Sequence, residues 1–191
     1  MDGKEIEIKL KLNKGDYDRV LKLMKETAIF KKEKHQVDVY YSPQEESFYD
    51  CGDRCLRIRT EEDKSIISYK RIYNENTSDR FIEEYETEIA DSQIMDSILK
   101  AINYQNEICV DKYRMEFYVN TGFLVALDKV EDLGFFIEIE NKNESDVIEK
   151  RNQDLIKFVE ELQIDILKRN TEGYSNMMYR KNNRTGDEVK C

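Results

Sequence analysis

Proline, glycine and histidine are scarce in this 191-residue chain: one Pro, seven Gly and one His. A lone Pro43 and so little glycine leave no stretch suited to an interdomain linker, and no internal repeat is evident. The length suits one domain, over residues 1–180, that can bury a core without staples. No run of about 18 apolar residues offers a membrane-spanning helix. The opening Met-Asp-Gly-Lys-Glu lacks the apolar segment of an export signal. These absences predict a cytoplasmic protein. Its four cysteines, Cys51, Cys55, Cys109 and Cys191, are then expected to stay reduced. Cys51 and Cys55 have no second pair or neighbouring histidine to complete a zinc site. Basic residues are outnumbered, 31 against 41 acidic, for a net charge of −10. That field repels duplex nucleic acid and anionic membranes, yet leaves room for a small anion in a locally basic site.

What the chain does contain is apolar residues in periodic patterns, with 12 Tyr and 8 Phe among them, which argues for a folded protein. Over residues 4–12, Ile6, Ile8, Leu10 and Leu12 alternate with Glu5, Glu7, Lys9 and Lys11, the period of a strand. A helix follows from an Asp16 cap to Ile29, with Val20, Leu21, Leu23 and Met24 on its apolar side. Strands are predicted at 34–41, 55–60, 65–73, 80–89, 107–119, 123–130 and 134–140. Helices are predicted from a Ser92 cap to Ile102 and from about Ser145 to Gln163. The polar stretch 181–191 reads as a flexible tail.

The polar faces of these strands carry the chemical signal. Arg80, Glu84, Glu86 and Glu88 share one face; so do Arg57 and Arg59, Lys112 and Arg114, and Glu138 and Glu140. One wet face of an antiparallel sheet would explain any single strand. Seven or eight such strands in succession point instead to an α+β fold in which an antiparallel eight-stranded sheet closes into a barrel. Its helices pack outside and its charges face inward. Clustered Arg and Lys need an anion, and clustered carboxylates need a hard divalent cation. A triphosphate with Mg²⁺ or Mn²⁺ satisfies both at once.

The residues also resemble a family. Glu5-Ile6-Glu7-Ile8-Lys9 is similar to the ExExK signature of the CYTH superfamily, the triphosphate tunnel metalloenzymes. The likeness continues in family order through His35–Tyr41, Leu56-Arg57-Ile58-Arg59, Ser68-Tyr69-Lys70-Arg71 and Arg80 with Glu84-Tyr85-Glu86. It then runs through Lys112-Tyr113-Arg114, Asp128-Lys129-Val130, Leu133–Glu140 and Gly173-Tyr174-Ser175. Two features depart from the pattern: the spacing from Arg80 to Glu84 and Glu86 is about two residues long, and Asn170–Gly173 stands where the family has a basic residue and Ser.

The resemblance implies a metal set of Glu5, Glu7, Glu86, Asp128, Glu138 and Glu140. It implies a triphosphate grip by Lys9, Arg57, Arg59, Lys70, Arg80, Lys112 and Arg114, with Glu5, Glu7, Lys9 and Lys70 closest to catalysis. Glu84, Glu88 and Lys11 read equally as ordinary sheet-face charges, and His35 is not taken as a base. The implied substrate is a nucleoside or inorganic triphosphate. The pattern looks most like the CyaB-type class IV adenylyl cyclases, which convert ATP to cyclic AMP and pyrophosphate. A triphosphatase acting on tripolyphosphate, thiamine triphosphate or a nucleoside triphosphate would use the same lining. A non-catalytic polyphosphate binder would not need Glu5, Glu7, Glu138 and Glu140. No heptad seam fixes an oligomeric state, and a homodimer through an outer helix or edge stays open.

Overall fold

Alternation sets the strands of this protein, and narrow apolar stripes set its longer helices. The computed structural model describes residues 7–62, 64–74, 80–142, 148–166 and 172–185. The strands are β1 (Glu7–Leu12), β2 (Ile29–Pro43), β3 (Arg54–Glu61), β4 (Lys64–Asn74), β5 (Arg80–Ile89), β6 (Tyr104–Val119), β7 (Phe123–Val130) and β8 (Gly134–Asn141). The helices are α1 (Lys14–Thr27), α2 (Phe48–Cys51), α3 (Ser92–Ala101), α4 (Ile148–Glu161) and α5 (Tyr174–Thr185). The fold is α+β, with one eight-stranded sheet in the order β1-β8-β7-β6-β2-β3-β4-β5. The chain forms two compact units, one of residues 1–34 and 112–172, the other of residues 35–111 and 173–191.

In the first unit β1, β6, β7 and β8 pair antiparallel, with Lys9 opposite Glu138 and Arg114 opposite Asp128. Ile8, Leu10, Leu12, Phe117, Val125, Leu127, Ile137 and Ile139 form the sheet side of the core. Tyr17, Val20 and Met24 from α1 and Leu155, Phe158 and Val159 from α4 cover it. The helix begins earlier than its sequence suggests: Asn13, not Asp16, is the cap, and its side chain accepts from the Asp16 amide at 2.8 Å. It also ends earlier. Ala28 is already extended, so Ile29 opens β2. Gly134 starts β8 at φ +98°, in the left-handed region where a side chain would be strained.

In the second unit β2, β3, β4 and β5 pair antiparallel. Tyr41, Ile58 and Leu99 form a smaller core, packed against Val39, Leu56, Ile67, Ile89, Met95 and Tyr104. Asp91 caps α3 by accepting from the amides of Gln93 and Ile94; Ser92, the expected cap, is the first helical residue.

Two helices were not expected. The four residues of α2 end at Gly52, which is left-handed at φ +70°. The other is α5, which takes in residues 181–185 of the expected tail; the remainder lies outside the described residues. Cys109 corrects the expectation of reduced thiols, because it is disulfide-bonded, while Cys55 is free.

Candidate functional site

In the first unit the core fixes which side chains point away from the helices. Ile8, Leu10 and Leu12 are buried, so Glu7, Lys9 and Lys11 take the opposite face of β1. The same logic puts Glu138 and Glu140 on that face of β8, Asp128 on that face of β7, and Lys112, Arg114 and Glu116 on that face of β6.

This is not an ordinary wet sheet face. The side chain of Asp128 is 0% exposed, and those of Glu138, Lys9 and Arg114 are 15–17% exposed. Lys112 is buried as well. Charges this sheltered survive only when paired and hydrogen-bonded. Arg114 donates to both carboxylate oxygens of Asp128, at 2.7 and 2.6 Å, and also to Glu138. Lys9 reaches Glu138 at 3.0 Å. Burial alone would push the Glu138 carboxyl up, but the cations of Arg114, Lys9 and Lys112 overcome it and hold the group down at about 2.

The second unit repeats the theme. Asp38 on β2, also buried, accepts from Arg59 on β3 at 2.6 and 2.7 Å, with Arg57 at 3.7 Å. Tyr40 lies opposite Arg57 across the two strands. Burial first, then the Asp38 charge, raises the Tyr40 phenol well above its ordinary value, so it stays protonated. The Nε of Arg57 is buried without a hydrogen-bond partner among the described residues. Lys70 meets Glu84 at 3.0 Å, but this pair is about two-fifths exposed on each side.

The expected site residues therefore fall into groups. Lys9, Lys112, Arg114, Asp128 and Glu138 come together in the first unit. Glu7 and Glu140 face one another across the β1 and β8 register, and Lys142 pairs with Glu140. Arg57 and Arg59 converge on Asp38 in the second unit, where Lys70 lies on β4. Glu86 is exposed on β5 opposite Ser68. Arg80 opens β5 opposite Asn74, but its side chain lies outside the described residues, as does the whole of Glu5. His35 pairs with Asp111 at 2.8 Å and is exposed.

Among the described residues no group of three or more His, Cys, Asp or Glu side chains gathers as a metal site. The available donors still suit Mg²⁺ or Mn²⁺. Glu7 and Glu140 are carboxylates placed directly opposite on adjacent strands, a like-charge pairing that a hard divalent cation relieves. Several members of the charged face were not expected from the sequence. Asp38 anchors both arginines of β3, and Lys34 and Lys32 approach Glu116 at 3.2 and 3.8 Å. For Lys32, Lys34 and Glu116 the available signal was their even-numbered position in β2 and β6, in phase with Asp38 and Arg114.

Known proteins carry the same architecture. A Methanocaldococcus jannaschii protein named "putative adenylate cyclase" is 33% identical over 147 residues, covering 76% of this chain and 81% of that one. The structure of a Pyrococcus horikoshii protein superposes with a TM-score of 0.72 at 29% identity, over 93% of this chain and 99% of that one. A Hippeastrum protein, named "putative adenylyl cyclase" and described as having a dominant triphosphatase activity, shares the fold. Its TM-score is 0.64 at 21% identity, with 97% of each chain covered. The CYTH domain matches residues 3–173. A match of that extent makes this chain a member of the CYTH domain family.

Proposed function

We propose that this protein is a metal-dependent enzyme acting on a triphosphate, and that its reaction is that of a class IV adenylyl cyclase, ATP to cyclic AMP and pyrophosphate. The observation that carries the reading is the sheltered charge face. Lys9, Lys112 and Arg114 surround Glu138 where an ordinary sheet would present its charges to water. Kinship with the Methanocaldococcus protein supports the cyclase over other triphosphate chemistry.

In this reading the eight strands close into the family's tunnel with their charged faces inward. Lys9, Arg57, Arg59, Lys70, Arg80, Lys112 and Arg114 hold the phosphates. Their carboxylate partners keep these long side chains oriented before substrate arrives: Asp38 for Arg57 and Arg59, Asp128 and Glu138 for Arg114, and Glu84 for Lys70. Glu7 and Glu140, with Glu5 and Glu138, hold Mg²⁺ or Mn²⁺, while Asp128 and Glu86 support the acidic side. The cation, when bound, neutralises phosphoryl charge and acts as a Lewis acid.

In the reaction the ribose 3′-oxygen bonds to the α-phosphorus as the bond from that phosphorus to the pyrophosphate oxygen breaks. The hydroxyl proton passes to water, and the charge gathering on pyrophosphate falls on the Arg and Lys lining. A triphosphatase would direct water at the terminal phosphorus with the same grip. Turnover of ATP that stops with a chelator and returns on adding Mg²⁺ or Mn²⁺ tests the metal requirement; turnover undiminished by chelation would contradict it.

A further inference from the structure

On the charged face of the second unit one buried oxygen goes unanswered. Gln36 lies in β2 two residues before Asp38 and on the same side of the strand, while Val39 and Tyr41 point into the small core. It is 2% exposed. Its Nε2 donates to Glu61 of β3 at 2.5 Å, and its buried Oε1 receives no hydrogen bond among the described residues.

Turning the amide round does not mend this. A carboxylate accepts and does not donate, so the nitrogen must face Glu61 and the oxygen must face away. Buried polar atoms are nearly always paired, and an exception that a neighbour holds in one orientation marks a place for a donor from outside the chain.

The position of that place follows from the register. Gln36 lies opposite Glu61, Asp38 opposite Arg59, and Tyr40 opposite Arg57. These are successive pairs along one face, about 7 Å apart, since two strand residues rise by that much. The Gln36 oxygen therefore sits one step past the pair in which Arg59 and Arg57 converge on Asp38.

Ionised phosphate oxygens accept hydrogen bonds and have none to give, so the phosphates of a substrate cannot satisfy Gln36. A divalent cation suits the spot poorly, because one amide oxygen and one carboxylate are few ligands and the neighbouring guanidinium groups repel it. The donor that remains is an O–H group. One O–H must come beside the gripped phosphates in any phosphoryl transfer: the nucleophile, whose oxygen has to approach phosphorus to within about 3.5 Å.

We infer that Gln36 is a substrate-contacting residue, whose Oε1 accepts a hydrogen bond from the O–H of the attacking group and so aims its oxygen at phosphorus. The inference rests on the triphosphate reading above and assigns a residue to its nucleophile. The shared chemistry is the hydroxyl, of a ribose or of water. An amide oxygen is too weak a base to take the proton, so Gln36 orients the nucleophile without deprotonating it.

The experiment measures initial rates of cyclic AMP release from ATP and of orthophosphate release from tripolyphosphate, with Mg²⁺, for the wild type, Gln36→Met and Glu61→Ala. Methionine keeps the length of the side chain and removes the oxygen. In Gln36→Met kcat should fall about tenfold or more, while KM and the Mg²⁺ concentration for half-maximal rate change by less than about twofold. Glu61→Ala, at a half-buried position, should lower kcat about threefold because the amide is then free to turn, and it carries the test should Gln36→Met fail to fold. Loss of cyclic AMP identifies the ribose hydroxyl as the donor and loss of orthophosphate identifies water; either supports the inference. Wild-type kcat in every folded variant overturns it. So does a raised KM at constant kcat, or a raised Mg²⁺ requirement, either of which would make Gln36 a ground-state or cation contact. These results leave the triphosphate reading intact, whereas wild-type protein that turns over neither substrate overturns both.

Discussion

Arg114 grips Asp128 across neighbouring strands with two parallel hydrogen bonds, Nε to one carboxylate oxygen at 2.7 Å and a terminal nitrogen to the other at 2.6 Å. The Asp128 side chain is wholly buried, and the same guanidinium also holds Glu138. One cation thus secures two sheltered carboxylates. Removing one partner of such a pair costs far more than the pair contributes, because a buried charge is left behind.

Arg114→Ala should therefore destabilise the protein by about 3 kcal/mol or more in urea unfolding. The double substitution Arg114→Met with Asp128→Leu should recover part of that loss, since neither charge is then stranded. A single variant within about 1 kcal/mol of wild type, as expected for an exposed ion pair, would contradict the sheltered assignment.

Glu138 gives a pH dependence of defined sign. Its carboxyl is depressed from an ordinary 4.5 to about 2 in the folded protein, so ionised Glu138 favours the fold. That contribution is fully present above about pH 4.5 and is lost as the pH falls toward 2. Unfolding free energies of wild type and Glu138→Gln, measured from neutral pH to pH 2, should differ most at the upper end and converge at the lower. A difference that grows toward acid would reverse the sign and refute the linkage.

Glu7→Gln should leave the circular dichroism spectrum and thermal midpoint close to wild type, since Glu7 is exposed at the start of β1. Turnover should fall by on the order of 10³ through loss of a metal-binding carboxylate. Wild-type turnover in this variant would remove Glu7 from the metal set.

Lys70 separates binding from stability. Its ion pair with Glu84 is too exposed to contribute more than a few tenths of a kcal/mol. Lys70→Ala should raise KM for the triphosphate several-fold while leaving the unfolding midpoint nearly unchanged. An unaltered KM would place Lys70 outside the grip.

Much of this could be read from the sequence where one signal dominated. Residues 80–89 and 123–130 match β5 and β7 in full, because turn residues bound both ends of each run. The charged faces of β1, β6 and β8 followed from the two-residue period of a strand. The first third of β2 did not, because Lys31-Lys32-Glu33-Lys34 is charged at every position and gives no alternation to follow. In α5 the buried side chains are Tyr174 and Met178, one turn apart on a helix whose last six residues are all polar. The charge on Asp38 and Glu116 was visible, but their partners come from strands far away in the chain, and local pattern carries no record of which cations they meet.

On the proposed function this sheet holds a triphosphate and closes ATP into a ring. The most direct measurement incubates the purified protein with ATP and Mg²⁺ or Mn²⁺, alongside a parallel reaction with tripolyphosphate, and separates the products chromatographically. Cyclic AMP and pyrophosphate in equal amounts from ATP, abolished in Glu7→Gln, is the predicted result. Orthophosphate without cyclic AMP would contradict the cyclase in favour of a triphosphatase, and no product from either substrate would contradict the enzyme altogether.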